Sequence, residues 1–141
     1  MRHRKRTVKL NRNSAHRRCM VANLLKALIM YDSIETTVPK AKELRRHADR
    51  LITLAKANTL SSRRKVIAKL MINFNALTSK ECREAKQGNH ASYNVDRRVV
   101  GKLFQTLSPR YVSRNGGYTR IVRKESRRGD ASTLCVIQYV E

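Results

Sequence analysis

The first carboxylate in this chain is Asp32, and that late arrival constrains what the residues before it can fold into. Between Met1 and Arg18 stand Arg2, Arg4, Lys5, Arg6, Lys9, Arg12, Arg17 and Arg18, with Val8 and Leu10 as the only branched aliphatic side chains. A segment this charged cannot bury enough apolar surface to offset the entropy lost on ordering it. Residues 1–13 are therefore expected to be a flexible basic arm that orders only against a polyanion, ahead of one domain over residues 14–141.

The same bias runs through the whole chain. Its 141 residues suffice for a single modest core. Lys and Arg number 32 against 10 Asp and Glu, a formal net charge of +22. Self-repulsion of that size disfavours a compact body unless a partner neutralises it, so the partner should be nucleic acid, an anionic membrane or an acidic protein. A membrane fits poorly, because the longest apolar run, Leu24 to Tyr31, contains Lys26 and falls far short of the roughly 20 residues a span needs. No secretory h-region follows the arm. Cys19, Cys82 and Cys135 are odd in number and widely spaced, the usage of free thiols in a reducing cytoplasm.

Hydropathy patterning predicts an α+β body, about four helices packed on a small mixed sheet of about three strands. Asn13 and Ser14 are good caps for a helix to Met30, with Val21, Leu24, Leu25, Leu28 and Tyr31 on its apolar face. Ile34 to Val38 alternates like a strand. Pro39 suits a first helical turn, with Thr37 as cap, and a helix to about Asn58 carries the stripe Ala41, Leu44, Ala48, Leu51, Ile52 and Ala55. A third helix is expected from Arg63 to Phe74 behind Ser61 or Ser62. A fourth is expected from Val95 to Leu107, stopping before Pro109. Thr78 to Asn94 reads as a surface excursion with a helical turn or two. Tyr118 to Lys124 and Thr133 to Val140 read as an antiparallel hairpin.

Chemistry finds no foothold. Glu81 and Glu84 stand at helical spacing but read as a solvated pair, and clustered Mg²⁺-binding carboxylates cannot be assembled from the rest. There is no Cys-x-x-Cys, and His3, His16, His47 and His90 lie too far apart for a zinc site. Gly116-Gly117 is a turn and not a phosphate loop. No catalytic residue, metal, cofactor or small-molecule substrate is expected.

Nucleic-acid binding is what remains. The arm contributes its cations, with His3, Asn11, Asn13 and His16 to orient by hydrogen bonds or stacking. Lys42, Arg46 and Arg50 form a ridge opposite the apolar stripe, with Lys40 as a further candidate contact on the same helix, and like charges stacked at i,i+4 cost about 0.2–0.5 kcal/mol a pair unless something neutralises them. Arg110, Arg114 and Arg120 form a third basic stretch around Tyr111 and Tyr118, rings that either stack on unpaired bases or pack in the core. Duplex DNA engages one stripe, whereas folded RNA presents phosphates from several directions, which favours RNA over a nucleoid-type DNA binder.

Several blocks carry a resemblance. Met1-Arg2-His3-Arg4-Lys5, Leu10-Asn11-Arg12-Asn13-Ser14 with His16-Arg17, and Thr36-Thr37-Val38-Pro39-Lys40-Ala41-Lys42-Glu43-Leu44-Arg45-Arg46 resemble the start of the bacterial large-subunit ribosomal protein family numbered seventeen. Leu51-Ile52-Thr53-Leu54-Ala55-Lys56, Lys102-Leu103-Phe104, Pro109-Arg110-Tyr111 and Gly116-Gly117-Tyr118-Thr119-Arg120-Ile121 continue it in the family's order. The resemblance implies a non-catalytic cytoplasmic ribosome component that binds large-subunit rRNA near the peptide exit tunnel, with neighbouring ribosomal proteins as further partners. The stretch near 72–94 departs from the family pattern as a surface insertion.

Overall fold

The computed structural model describes residues 8–73, 76–89 and 93–140. Helix α1 (Ser14–Tyr31) begins where the Asn13 side chain accepts the His16 N–H at 2.8 Å, satisfying one of the free donors of its first turn. It ends at Asp32, left-handed at φ 61°, whose N–H returns to the Leu28 carbonyl. The chain then turns directly into β1 (Ser33–Thr37). Tyr31 leaves the expected apolar face and is 73% exposed, because Leu25, Leu28 and Ile29 already fill the inward positions.

Helix α2 (Val38–Ala57) carries Pro39 in its first turn, and all six residues of the expected stripe, Ala41 through Ala55, are buried. Thr37 is its cap by position but makes no side-chain cap bond. Asn58, left-handed at φ 44°, stops the helix. Helix α3 (Leu60–Lys69) starts three residues earlier than expected and is capped by Thr59, whose hydroxyl accepts the Ser62 N–H. Ser62 is buried inside the helix and donates to the Thr59 carbonyl. Of the apolar side expected for this helix, Val66 and Leu70 are buried, Ile67 and Met71 are exposed, and Phe74 lies outside the described residues.

The excursion contains a real helix, α4 (Ser79–Lys86), held by a reciprocal capping box between Thr78 and Glu81. It buries no residue, so local capping and not packing sustains it. Helix α5 (Val95–Lys102) follows, then a widened π-turn over Leu103–Leu107, then α6 (Ser108–Arg110). The expected stop before Pro109 is corrected here. The Ser108 N–H reaches back to the Leu103 carbonyl, and the proline enters the first turn of α6, where its missing N–H leaves no gap.

Strands β2 (Thr119–Ser126) and β3 (Thr133–Tyr139) form the expected hairpin, and β1 pairs with the other edge of β3, giving the order β1-β3-β2. The sheet is antiparallel throughout and not mixed, since β1 runs against β3 just as β2 does. Cys135, Ile137 and Tyr139 point from β3 into the core against the stripe of α2. The Thr119 hydroxyl donates to the Asp49 carboxylate at 3.1 Å and ties β2 to α2. Lys26 on α1 meets Asp96 on α5 at 2.7 Å, and Lys102 donates to the Met30 carbonyl and to Asp32, closing the helices over the sheet.

Candidate nucleic-acid interface

The cationic surface is assembled from the starts and faces of three helices. Just before α1, Arg12 and Asn13 are exposed, and on its first turns His16 and Arg18 are exposed and Arg17 half-buried. The Arg12 guanidinium donates to His16 Nε2 at 2.8 Å, which sets two of the expected contact residues side by side. Lys9 and Asn11 lie in the turn just before, where Asn11 adopts φ 51°. Asn13 is the expected cap, and its side-chain oxygen is occupied by the His16 N–H. Arg2, His3, Arg4, Lys5 and Arg6 lie outside the described residues.

On α2, Lys42, Arg46 and Arg50 form the expected exposed row, with Lys40 half-buried at its foot. The row is not wholly uncompensated. Glu43 reaches Arg46 with one carboxylate oxygen and His47 with the other, both at 3.2 Å. The two-residue link Asn58-Thr59 folds α3 back along α2 as an αα-hairpin, which brings Lys69 into the field of Arg46 and Arg50.

The charge density registers in the proton affinities. Burial first, then the positive charges of Arg50 and Arg46, hold the Lys69 ammonium below the ordinary lysine range. Burial and then Lys69 likewise lower His47, against the opposing pull of Glu43. Both shifts come first from burial, and the neighbouring cations add to them while Glu43 opposes. His47 and Lys69 were missed by reading the sequence, since nothing local distinguishes them. Only the spacing of a tight helical hairpin, which returns the last turn of α3 to the middle of α2, would have flagged Lys69.

The third basic stretch divides. Arg110, Arg114 and Arg120 are exposed, Arg120 on the outer face of the sheet beside Gln138. Tyr118 is corrected: only 2% exposed, it is a core residue and cannot stack on a base. Its ring sits 5.1 Å from that of Tyr111, equally buried, and Tyr111 in turn packs against Tyr139. The Tyr111 hydroxyl donates to the Val140 carbonyl, so the ring's polar end is satisfied by backbone. Gly117, at φ 61°, supplies the left-handed turn that drops Tyr118 inward.

Among the described residues no group of three or more His, Cys, Asp or Glu is placed to hold a metal ion, and no helix is long and apolar enough to cross a membrane. The fold and its described surface define a small basic α+β protein with more cations than carboxylates on its faces. Residues 20–140 match the family described as Ribosomal protein L17, and the chain belongs to that family. It is similar to the large ribosomal subunit protein bL17 of Protochlamydia amoebophila (strain UWE25), 61% identical over 140 residues and 99% of each chain. The same protein of Chlamydia abortus (strain DSM 27085 / S26/3) is 57% identical, again over 99% of both chains. That of Chlamydia trachomatis serovar L2 (strain ATCC VR-902B / DSM 19102 / 434/Bu) is 55% identical with equal coverage. These relatives are thus of nearly the same length as this chain, and the stretch near 72–94 does not set it apart from them. Membership makes this a ribosomal protein and not an enzyme.

Proposed function

We propose that this chain is a structural constituent of the large ribosomal subunit that binds and stabilises folded large-subunit rRNA in the cytoplasm, near the peptide exit tunnel and in contact with neighbouring ribosomal proteins. The observation that carries the reading is the joining of Arg17 and Arg18, the Lys42-Arg46-Arg50 row and Lys69 on one side of the body, where Glu43 is the carboxylate between them. A surface so unbalanced is disfavoured alone and stabilised by dense phosphates. Residues 1–13 act as the arm that follows the body into the RNA, and Arg110, Arg114 and Arg120 engage phosphates from another side.

Two measurements test the reading. In a sucrose gradient of a lysate at moderate salt, the protein should sediment with large subunits. Neutralising about six phosphates should lower the affinity for large-subunit rRNA on the order of a thousandfold between 50 and 200 mM salt. Salt-independent binding, or equal affinity for generic duplex DNA, would overturn it. The exit-tunnel location is tested by cross-linking purified large subunits and mapping the rRNA and proteins attached to this chain.

A further inference from the structure

Between α1, α2 and the end of α3 lies an open groove of about 510 Å³. Its walls are of two kinds. Arg17 and Arg18 of α1, and Lys69 of α3, bring positive charge from separate elements. Val21, Ala68 and Met71 provide an apolar side, and Met71 stands 49% exposed with its backbone left-handed at φ 51°, just past the end of α3.

One acid stands in the wall. Glu43 places its oxygens on Arg46 and His47 and also attracts Lys69, a single carboxylate among Arg17, Arg18, Arg46 and Lys69. Lys69 makes no ion pair among the described residues, although it is partly withdrawn from water beside Arg46 and Arg50. A half-buried ammonium beside two guanidinium groups is stabilised by an anion that joins it from outside.

Phosphate alone does not account for the groove. A regular duplex offers its phosphates from a convex backbone and keeps its bases stacked inside, which leaves an apolar wall with nothing to touch. A nucleotide that has left the stack offers both, a phosphate for the cations and a flat base for the methionine and valine side. A cleft of this volume has room for one such nucleotide. We propose that the groove is a subsite for a single unpaired nucleotide of the RNA, its phosphate on Arg17, Arg18 and Lys69 and its base against Met71 and Val21. This rests on the RNA-binding reading above and adds the point at which a shape-specific contact is made.

The test uses the full chain bound to deproteinised large-subunit rRNA. A benzophenone amino acid placed at position 71 should, on irradiation, attach to one nucleotide that lies outside base-paired helices, read as a single stop of reverse transcription. The unsubstituted protein should protect that nucleotide from 2′-hydroxyl acylation, and Met71→Ala should restore its reactivity. Lys69→Gln should weaken rRNA binding about tenfold, while Lys86→Gln on α4, which removes the same charge elsewhere, should change it less than twofold. Attachment within a duplex, attachment to no RNA, or equal losses for Lys69→Gln and Lys86→Gln would overturn the subsite while unimpaired binding of the unsubstituted chain kept the RNA reading intact. Failure of the unsubstituted chain to bind rRNA would overturn both.

Discussion

The Tyr118 hydroxyl donates a 3.1 Å hydrogen bond to the carbonyl of Arg114, and Lys56 donates to that same carbonyl at 2.7 Å. One acceptor thus joins the last turn of α2 to the loop that leads into β2, with the Lys56 ammonium 5.8 Å from the centre of the Tyr118 ring. The arrangement fixes Tyr118 as a structural residue. Tyr118→Phe should lower stability by about 1 kcal/mol, since Lys56 still satisfies the carbonyl, and Tyr118→Ala by about 3–5 kcal/mol through the cavity it leaves. Urea unfolding reads the loss, and the Phe variant should bind rRNA as tightly as the parent. A Phe variant that folds normally but loses rRNA affinity would restore the stacking role the structure denies it.

The centre of the fold is the stripe of α2. Leu44 and Leu51 are fully enclosed, so Leu44→Ala or Leu51→Ala should each cost about 3 kcal/mol or more in urea unfolding. The same truncation at exposed Leu60, Leu60→Ala, should cost under about 1 kcal/mol.

The cationic row of α2 should affect binding without supporting the fold. Lys42→Gln combined with Arg50→Gln removes two exposed charges and relieves i,i+4 repulsion, so stability should hold or rise by a few tenths of a kcal/mol. Binding to rRNA should weaken, and the slope of log affinity against log salt should become shallower by about 1.8 if each residue neutralises a phosphate. An unchanged slope would remove this row from the interface.

His47 gives the free protein a definite pH response. Its folded-state pKa lies below the ordinary 6.5, so the unfolded chain takes up more protons in the interval between the two values. The His47 contribution is therefore fully present above about pH 6.5 and is lost as pH falls through 6.5 toward the folded value. The imidazole faces Glu43, Arg46 and Lys69, in a groove also lined by Arg17 and Arg18, so acidification adds charge to an already positive region. Chemical denaturation between pH 7.5 and about 5.5 should show this decline, and His47→Gln should flatten it. A decline of the same size in the variant would assign it to other groups.

Deleting residues 1–9 should leave the body folded, because the cap of α1 is supplied by Asn13 and the core begins at Val21. The shortened chain should have an unchanged unfolding transition but enter large subunits poorly in reconstitution. Incorporation at the full-length level would show that the arm is dispensable.

Much of this protein is local chemistry and is therefore written in the order of its residues. The apolar stripe of α2 follows from spacing alone, as do the cap at Asn13, the hairpin of β2 and β3, and the charge that demands an anionic partner. Helix α4 is local too, its eight residues making the expected two turns behind the capping box of Thr78 and Glu81. Other features depend on what long-range packing leaves open. Tyr111 and Tyr118 stand among arginines in the chain, but their neighbours in space are Tyr139 and each other, so the core takes the rings and leaves the guanidinium groups outside. Pro109 stops a regular α-helix but not one that first widens into a π-turn. The sequence by itself determined that this chain is a basic α+β body, since periodicity and net charge need no partner in space to be felt. Only the tertiary structure decided which cations share a surface, because Arg17, Glu43 and Lys69 meet only when α1, α2 and α3 pack around one groove.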